Sequence, residues 1–167
     1  MESILFVCTG NTCRSSMAEG IFRGELKKDK ELAERFEVSS AGISAFDGEP
    51  ASEYAVSALK DLYGLDISLH RARLLKKEHI DNASLILTMT RSHKQAICSL
   101  FPEARKKTFT LKEFAYEYGV SDRTAKSSFN PDISDPFGMP ENIYKQCARE
   151  IKDAVVRTVE KLRNYGK

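Results

Sequence analysis

The chain has 167 residues, 41% of them hydrophobic and 30% charged, with a formal net charge of +2. That size suits one domain over residues 1–167, able to bury a core without metal or disulfide staples, and the small charge lacks the basic footprint of a nucleic-acid partner. Met1-Glu2-Ser3 leads straight into a short apolar run that is neither a signal core nor a membrane span, so no membrane partner is expected. With its few cysteines irregularly spaced, the chain reads as cytoplasmic.

Ile4-Leu5-Phe6-Val7 is a continuous run of strand formers, suited to a strand buried on both faces. A polar, glycine-bearing loop follows, and then Met17, Ala18, Ile21, Phe22 and Leu26 recur at helical spacing. Glu37-Val38-Ser39-Ser40 reads as a second strand ending in Ala41-Gly42. Pro50 is placed to open a helix whose apolar face is Tyr54, Ala55, Ala58, Leu59 and Leu62, with Gly64 as its stop. Leu85 to about Met89 is a third strand. A helix through Lys94, Ile97 and Leu100 stops at Pro102. Thr108-Phe109-Thr110 is a fourth strand, Leu111 to Tyr118 a short helix, and Ser121 to Pro140 a loop. Ile143, Cys147, Ile151, Val155, Thr158 and Leu162 then line one stripe of a last helix. Strands alternating with helices predict an α/β fold, a parallel sheet covered on both faces.

The loop between the first strand and the first helix carries chemistry. Backbone N–H groups in a concave loop, followed by a helix N-terminus, form an anion site. In Cys8-Thr9-Gly10-Asn11-Thr12-Cys13-Arg14-Ser15, Gly10 is expected to let the backbone fold tightly, and Asn11 tolerates left-handed dihedrals while bonding the loop to itself. Arg14 can grip two phosphate oxygens through its planar fork. Cys8 stands at the mouth of that cradle, where the same amides, helix dipole and guanidinium favour a thiolate. An ionised sulfur beneath a phosphoryl group is set for in-line attack and a phosphocysteine intermediate, with Ser15 steadying the sulfur. The loop lacks the Gly-Lys-Ser/Thr ending of nucleotide-binding loops. No structural metal spacing is found either, so no cofactor is predicted.

The leaving group needs a proton, and the same group can later activate water. Asp135, in Ser134-Asp135-Pro136-Phe137-Gly138, is the candidate, held by the backbone restriction before Pro136.

These two segments resemble the low-molecular-weight protein tyrosine phosphatase family, through Val7 to Ser15 and Asp135 to Phe137. The resemblance implies a three-layer fold, a four-stranded parallel sheet with helices on both sides. It implies Cys8 as nucleophile, Arg14 as phosphate clamp and Asp135 as general acid and base. Ser40 looks like part of the segment beneath the loop, and His70 like the histidine that joins Asn11 and Ser40 in support.

Within the family, Thr12 stands where tyrosine-directed members usually carry an aliphatic residue. Cys-Thr-Gly-Asn-Thr-Cys-Arg-Ser is similar to the bacterial protein-arginine phosphatases, as are Met89-Thr90 with His93-Lys94-Gln95, Phe109 to Glu113 and Ile143 to Gln146. That branch implies phosphorylated proteins as substrates, phosphate as product and an opposing protein-arginine kinase. Phe137 is followed by Gly138 rather than by a second aromatic, and Phe46 reads either as a cleft wall or as an ordinary phenylalanine. Cys13 reads either as a redox partner of Cys8 or as a small packing residue of the loop. A tyrosine phosphatase is the nearest alternative. An arsenate reductase would need a cysteine relay beyond Cys13, a phosphocarrier has no use for Asp135, and a non-catalytic phosphate-binding module needs no thiol in the cradle.

Overall fold

A computed structural model describes residues 1–117 and 129–165. Tyr118 and residues 121–128 of the expected helix end and loop lie outside them. Four parallel strands form one sheet in the order β2-β1-β3-β4, with β1 at Glu2–Cys8, β2 at Phe36–Gly42, β3 at Leu85–Thr88 and β4 at Thr108–Thr110. The expected four-stranded parallel sheet is present.

β1 is buried from Ile4 onward because it has neighbours on both edges and helices over both faces. Its residues alternate: Ile4, Phe6 and Cys8 join one apolar layer, Leu5 and Val7 the other. The first layer is covered by α1 (Arg14–Leu26), α3 (Glu53–Tyr63), α6 (Leu111–Tyr116) and α7 (Glu141–Asn164). The second is covered by α4 (Lys77–Asn82), α5 (Arg91–Leu100) and a 3₁₀ segment at Pro102–Lys107. The stripe expected for the last helix is real, with Cys147, Ile151, Val155, Thr158 and Leu162 all buried and Ile143 half-buried at its start.

Pro50 does not open α3. It pairs with Arg71 in an isolated bridge, and Ser52 caps the helix instead, its hydroxyl accepting from Ala55 N–H at 3.3 Å. Tyr54, expected on the apolar face, is exposed. Gly64 ends α3 with φ 64°, as its position predicts. Two helices have no expectation behind them. α2 (Lys30–Arg35) buries only Leu32, and α4 only Ile80, so neither leaves a periodic stripe to read.

Candidate active site

The cradle sits at the C-terminal end of the central strand, where chain connections leave to opposite sides and ligands of open α/β sheets bind. Cys8 is the last residue of β1 and Arg14 the first of α1, so the intervening loop runs straight into a helix N-terminus. Cys13, the N-cap, makes no side-chain cap and the first turn has no acidic residue, which leaves the terminal N–H groups and the dipole for an anion.

Asn11 holds the loop in shape. It is fully buried with φ 59°, a left-handed conformation that asparagine tolerates. Its amide donates to Ser15 Oγ and Ser40 Oγ, each at 2.8 Å, and its Oδ1 accepts from Arg73 N–H at 3.0 Å. His70 Nε2 lies 2.7 Å from the Asn11 carbonyl, while Glu19 receives the Ser40 hydroxyl at 3.4 Å and pairs with His70 Nδ1 at 3.6 Å. The expected support from Ser40 and His70 is therefore built, with Glu19 and Arg73 as members that sequence reasoning missed. Gly10 departs from expectation: its φ is not positive, and a Cβ there would meet only Thr12 Oγ1 at 3.7 Å. The glycine the loop needs is Gly42, where a Cβ would stand 2.6 Å from the Thr9 carbonyl and 2.9 Å from Asn11 N.

Two donors converge on Cys8 Sγ. Asn11 N–H reaches it at 3.3 Å, and Ser15 Oγ lies 2.9 Å away. Because Ser15 Oγ already accepts from Asn11, its own proton is available for the sulfur. That set of partners suits a thiolate.

Arg14 is 4% exposed and is anchored by donating from Nη1 to the Ile133 carbonyl at 2.9 Å, while Nη2 lies 3.4 Å from Asp135 Oδ2. Its Nε is buried without a protein partner among the described residues, a donor free for an oxyanion. Asp135 Oδ1 accepts from Phe137 N–H at 3.1 Å, so the Asp-Pro-Phe turn fixes the carboxylate from its own backbone. Ile133 ties that loop to the end of the sheet through a 2.9 Å bond to the Met89 carbonyl.

The cleft above Cys8 has a volume of about 310 Å³ and brings Thr9, Thr12, Arg14 and Asp135 together between Phe46 and Phe137. Both phenylalanines are bare, at 77% and 74% exposure, so Phe46 is a cleft wall and not a core residue. Glu49 also lines the cleft and was not anticipated. A larger groove of about 470 Å³ between α1 and Gly64–His70 contains no nucleophile.

Two further residues brace the loop. His93 Nε2 lies 2.9 Å from Thr9 Oγ1, and its Nδ1 lies 3.0 Å from Thr90 Oγ1. Burial, then the Arg14 charge, push its pKa down to about 4, so the ring is neutral near pH 7. A Thr three residues before a His at a helix start was the available signal. Cys13 and Cys8 are both free thiols. Cys13 donates to Ser52 Oγ at 3.5 Å and lies 3.4 Å from the Tyr144 hydroxyl, whose pKa is pushed up to about 12 by burial and by that sulfur.

A model of the family described as "Low molecular weight phosphotyrosine protein phosphatase" matches residues 3–166. The chain is 44% identical over 159 residues to a protein-arginine-phosphatase of Geobacillus stearothermophilus, covering 95% of each. It is 38% identical over 165 residues to one from Bacillus subtilis, covering 96% of each. Among solved structures, the low molecular weight protein tyrosine phosphatase from T. tengcongensis superposes with a TM-score of 0.81 at 44% identity, covering 96% of this chain and 99% of that one. Names of both kinds stand at the same identity, and their common ground is unambiguous: the chain belongs to the low-molecular-weight protein tyrosine phosphatase family.

Proposed function

We propose that this phosphatase removes phosphate from phosphoarginine in proteins through a phosphocysteine intermediate, as one domain over residues 1–167. Cys8 attacks phosphorus as a thiolate while Arg14 and the loop amides hold the phosphoryl oxygens. The P–N bond breaks, its electron pair stays on nitrogen, and Asp135 delivers the proton. Asp135, now a carboxylate, takes a proton from water as it attacks phosphorus. The S–P bond then returns its electrons to Cys8, steadied by the Ser15 hydroxyl, and phosphate leaves.

The observation that carries the arginine reading is the Thr12 hydroxyl in the cleft beside Cys8, where an aliphatic side chain would pack a tyrosine ring. The names of the Geobacillus and Bacillus relatives agree with it. An opposing protein-arginine kinase belongs to the same reading. Phe46 and Phe137 would also suit a tyrosine phosphatase, because aromatic walls flank a phenyl ring well. They serve a planar guanidinium equally, since it stacks on aromatic faces.

Matched phosphoarginine and phosphotyrosine peptides decide the matter. The wild type should show the higher kcat/KM on phosphoarginine, and Thr12→Ile should narrow or invert the ratio by about tenfold or more, the scale of a lost pocket hydroxyl. Preference for phosphotyrosine in the wild type would overturn the proposal.

A further inference from the structure

Three charged side chains line the cleft, namely Arg14, Asp135 and Glu49. Two are already committed. Arg14 spends Nη1 on the Ile133 carbonyl and sets Nη2 against Asp135 Oδ2, and Asp135 Oδ1 accepts from Phe137 N–H. Glu49 is different. Its backbone is fixed at both ends, N–H to the Phe46 carbonyl at 3.3 Å and carbonyl from Ala72 N–H at 2.7 Å. Its carboxylate has no hydrogen bond or ion pair among the described residues.

A free carboxylate beside a site for a phosphate dianion is a liability, because like charges repel, an effect that salt weakens at an exposed residue such as Glu49. It becomes an asset where the substrate brings a cation of its own. Phosphotyrosine brings none: its leaving group departs, once protonated, as a neutral phenol. Phosphoarginine departs as a guanidinium, with planar N–H donors that match a carboxylate two at a time.

We infer that Glu49 is the residue that receives this departing guanidinium and so sets the leaving group the cleft prefers. The inference rests on the arginine reading proposed above. In the step it serves, the Cys8 S–P bond forms and the P–N bond breaks. The nitrogen keeps the electron pair and takes the Asp135 proton, and the product guanidinium is held by Glu49 with no further bond change. Asp135 acts on the nitrogen that leaves phosphorus, and Glu49 accepts from the remaining nitrogens. The loop after β2 and the loop before α7 thus each supply one carboxylate to a single flat cation.

The test is steady-state kinetics on wild type, Glu49→Gln and Glu49→Asp. The two substrates are peptides of one sequence, free of other Arg or Lys and carrying either phosphoarginine or phosphotyrosine. Glu49→Gln should lower kcat/KM on phosphoarginine by about three- to tenfold, the range for a charge-assisted pair in a partly open site. It should raise kcat/KM on phosphotyrosine, since a charge that repels the dianion is gone. Glu49→Asp, which keeps the charge, should recover part of the phosphoarginine rate. Opposite movement on the two substrates supports the role, and movement in the same direction, or an unchanged ratio, overturns it. The outcomes separate the two claims. A wild type that prefers phosphotyrosine overturns the substrate reading, whereas one that prefers phosphoarginine with a ratio indifferent to Glu49 overturns only this assignment.

Discussion

Asp135 and His93 both feel the Arg14 charge and do unlike work. Asp135 carries the proton in both halves of the proposed cycle, so its loss should depend on how much the leaving group needs that proton. Asp135→Asn is expected to slow poor leaving groups by about 10²–10⁴-fold, the usual scale of general acid catalysis, and activated aryl phosphates much less. Equal slowing of both, measured side by side, would count against it as the acid. His93 instead links the loop to pH. Its folded pKa, about 4 against 6.5, is depressed, so the unfolded chain takes up the proton first as pH falls. Stability is therefore lost as pH drops from 6.5 towards 4, by up to roughly 3 kcal/mol for a shift of this size. Asp135 and Asp132 oppose the depression, but burial and Arg14 outweigh them. Denaturation of wild type and His93→Gln between pH 7 and pH 4.5 should show a steeper loss in the wild type. At this scale the sequence was legible where residue type dictates chemistry, as for Cys8, Arg14 and Asp135. It was silent on Glu19, Glu49 and Arg73, whose meaning comes only from what the fold sets beside them.

Among the elements, the end of β2 decides more than its length suggests. Gly42 carries the strand past the cradle so closely that the smallest side chain would collide with backbone on two sides. Gly42→Ala should therefore abolish most phosphatase activity while far-UV circular dichroism stays close to wild type. Retained activity would mean the loop can shift without cost. The strands and long helices were legible from periodicity, since each leaves several apolar residues in register with its neighbour. α2 and α4 were not, because one buried side chain apiece makes no pattern. The start of α3 was misread for a related reason. Proline and serine both mark helix starts, and only the Ser52 bond to Ala55 N–H selects between them.

Across the whole molecule, β1 stands between β2 and β3, and the loop after it is touched from one layer by His93 of α5 and from the other by Tyr144 of α7. The fold class followed from the alternation of strands and helices. The two motifs taken together put Asp135 and Arg14 in one site, but the 3.4 Å contact between their side chains was not legible, because nothing local to either residue reports it. Asn11 has every polar group of its side chain engaged, and Gly42 wedges against the loop from below. A cradle of that kind is made of folded main chain and cannot be retuned by exchanging side chains one at a time. The rim differs, since Thr12, Phe46, Glu49 and Phe137 stand outside that framework and can be exchanged without unseating it. A chain built this way can take on new substrates through exchanges along the edge of its cleft while the floor, and with it the reaction, stays as it is.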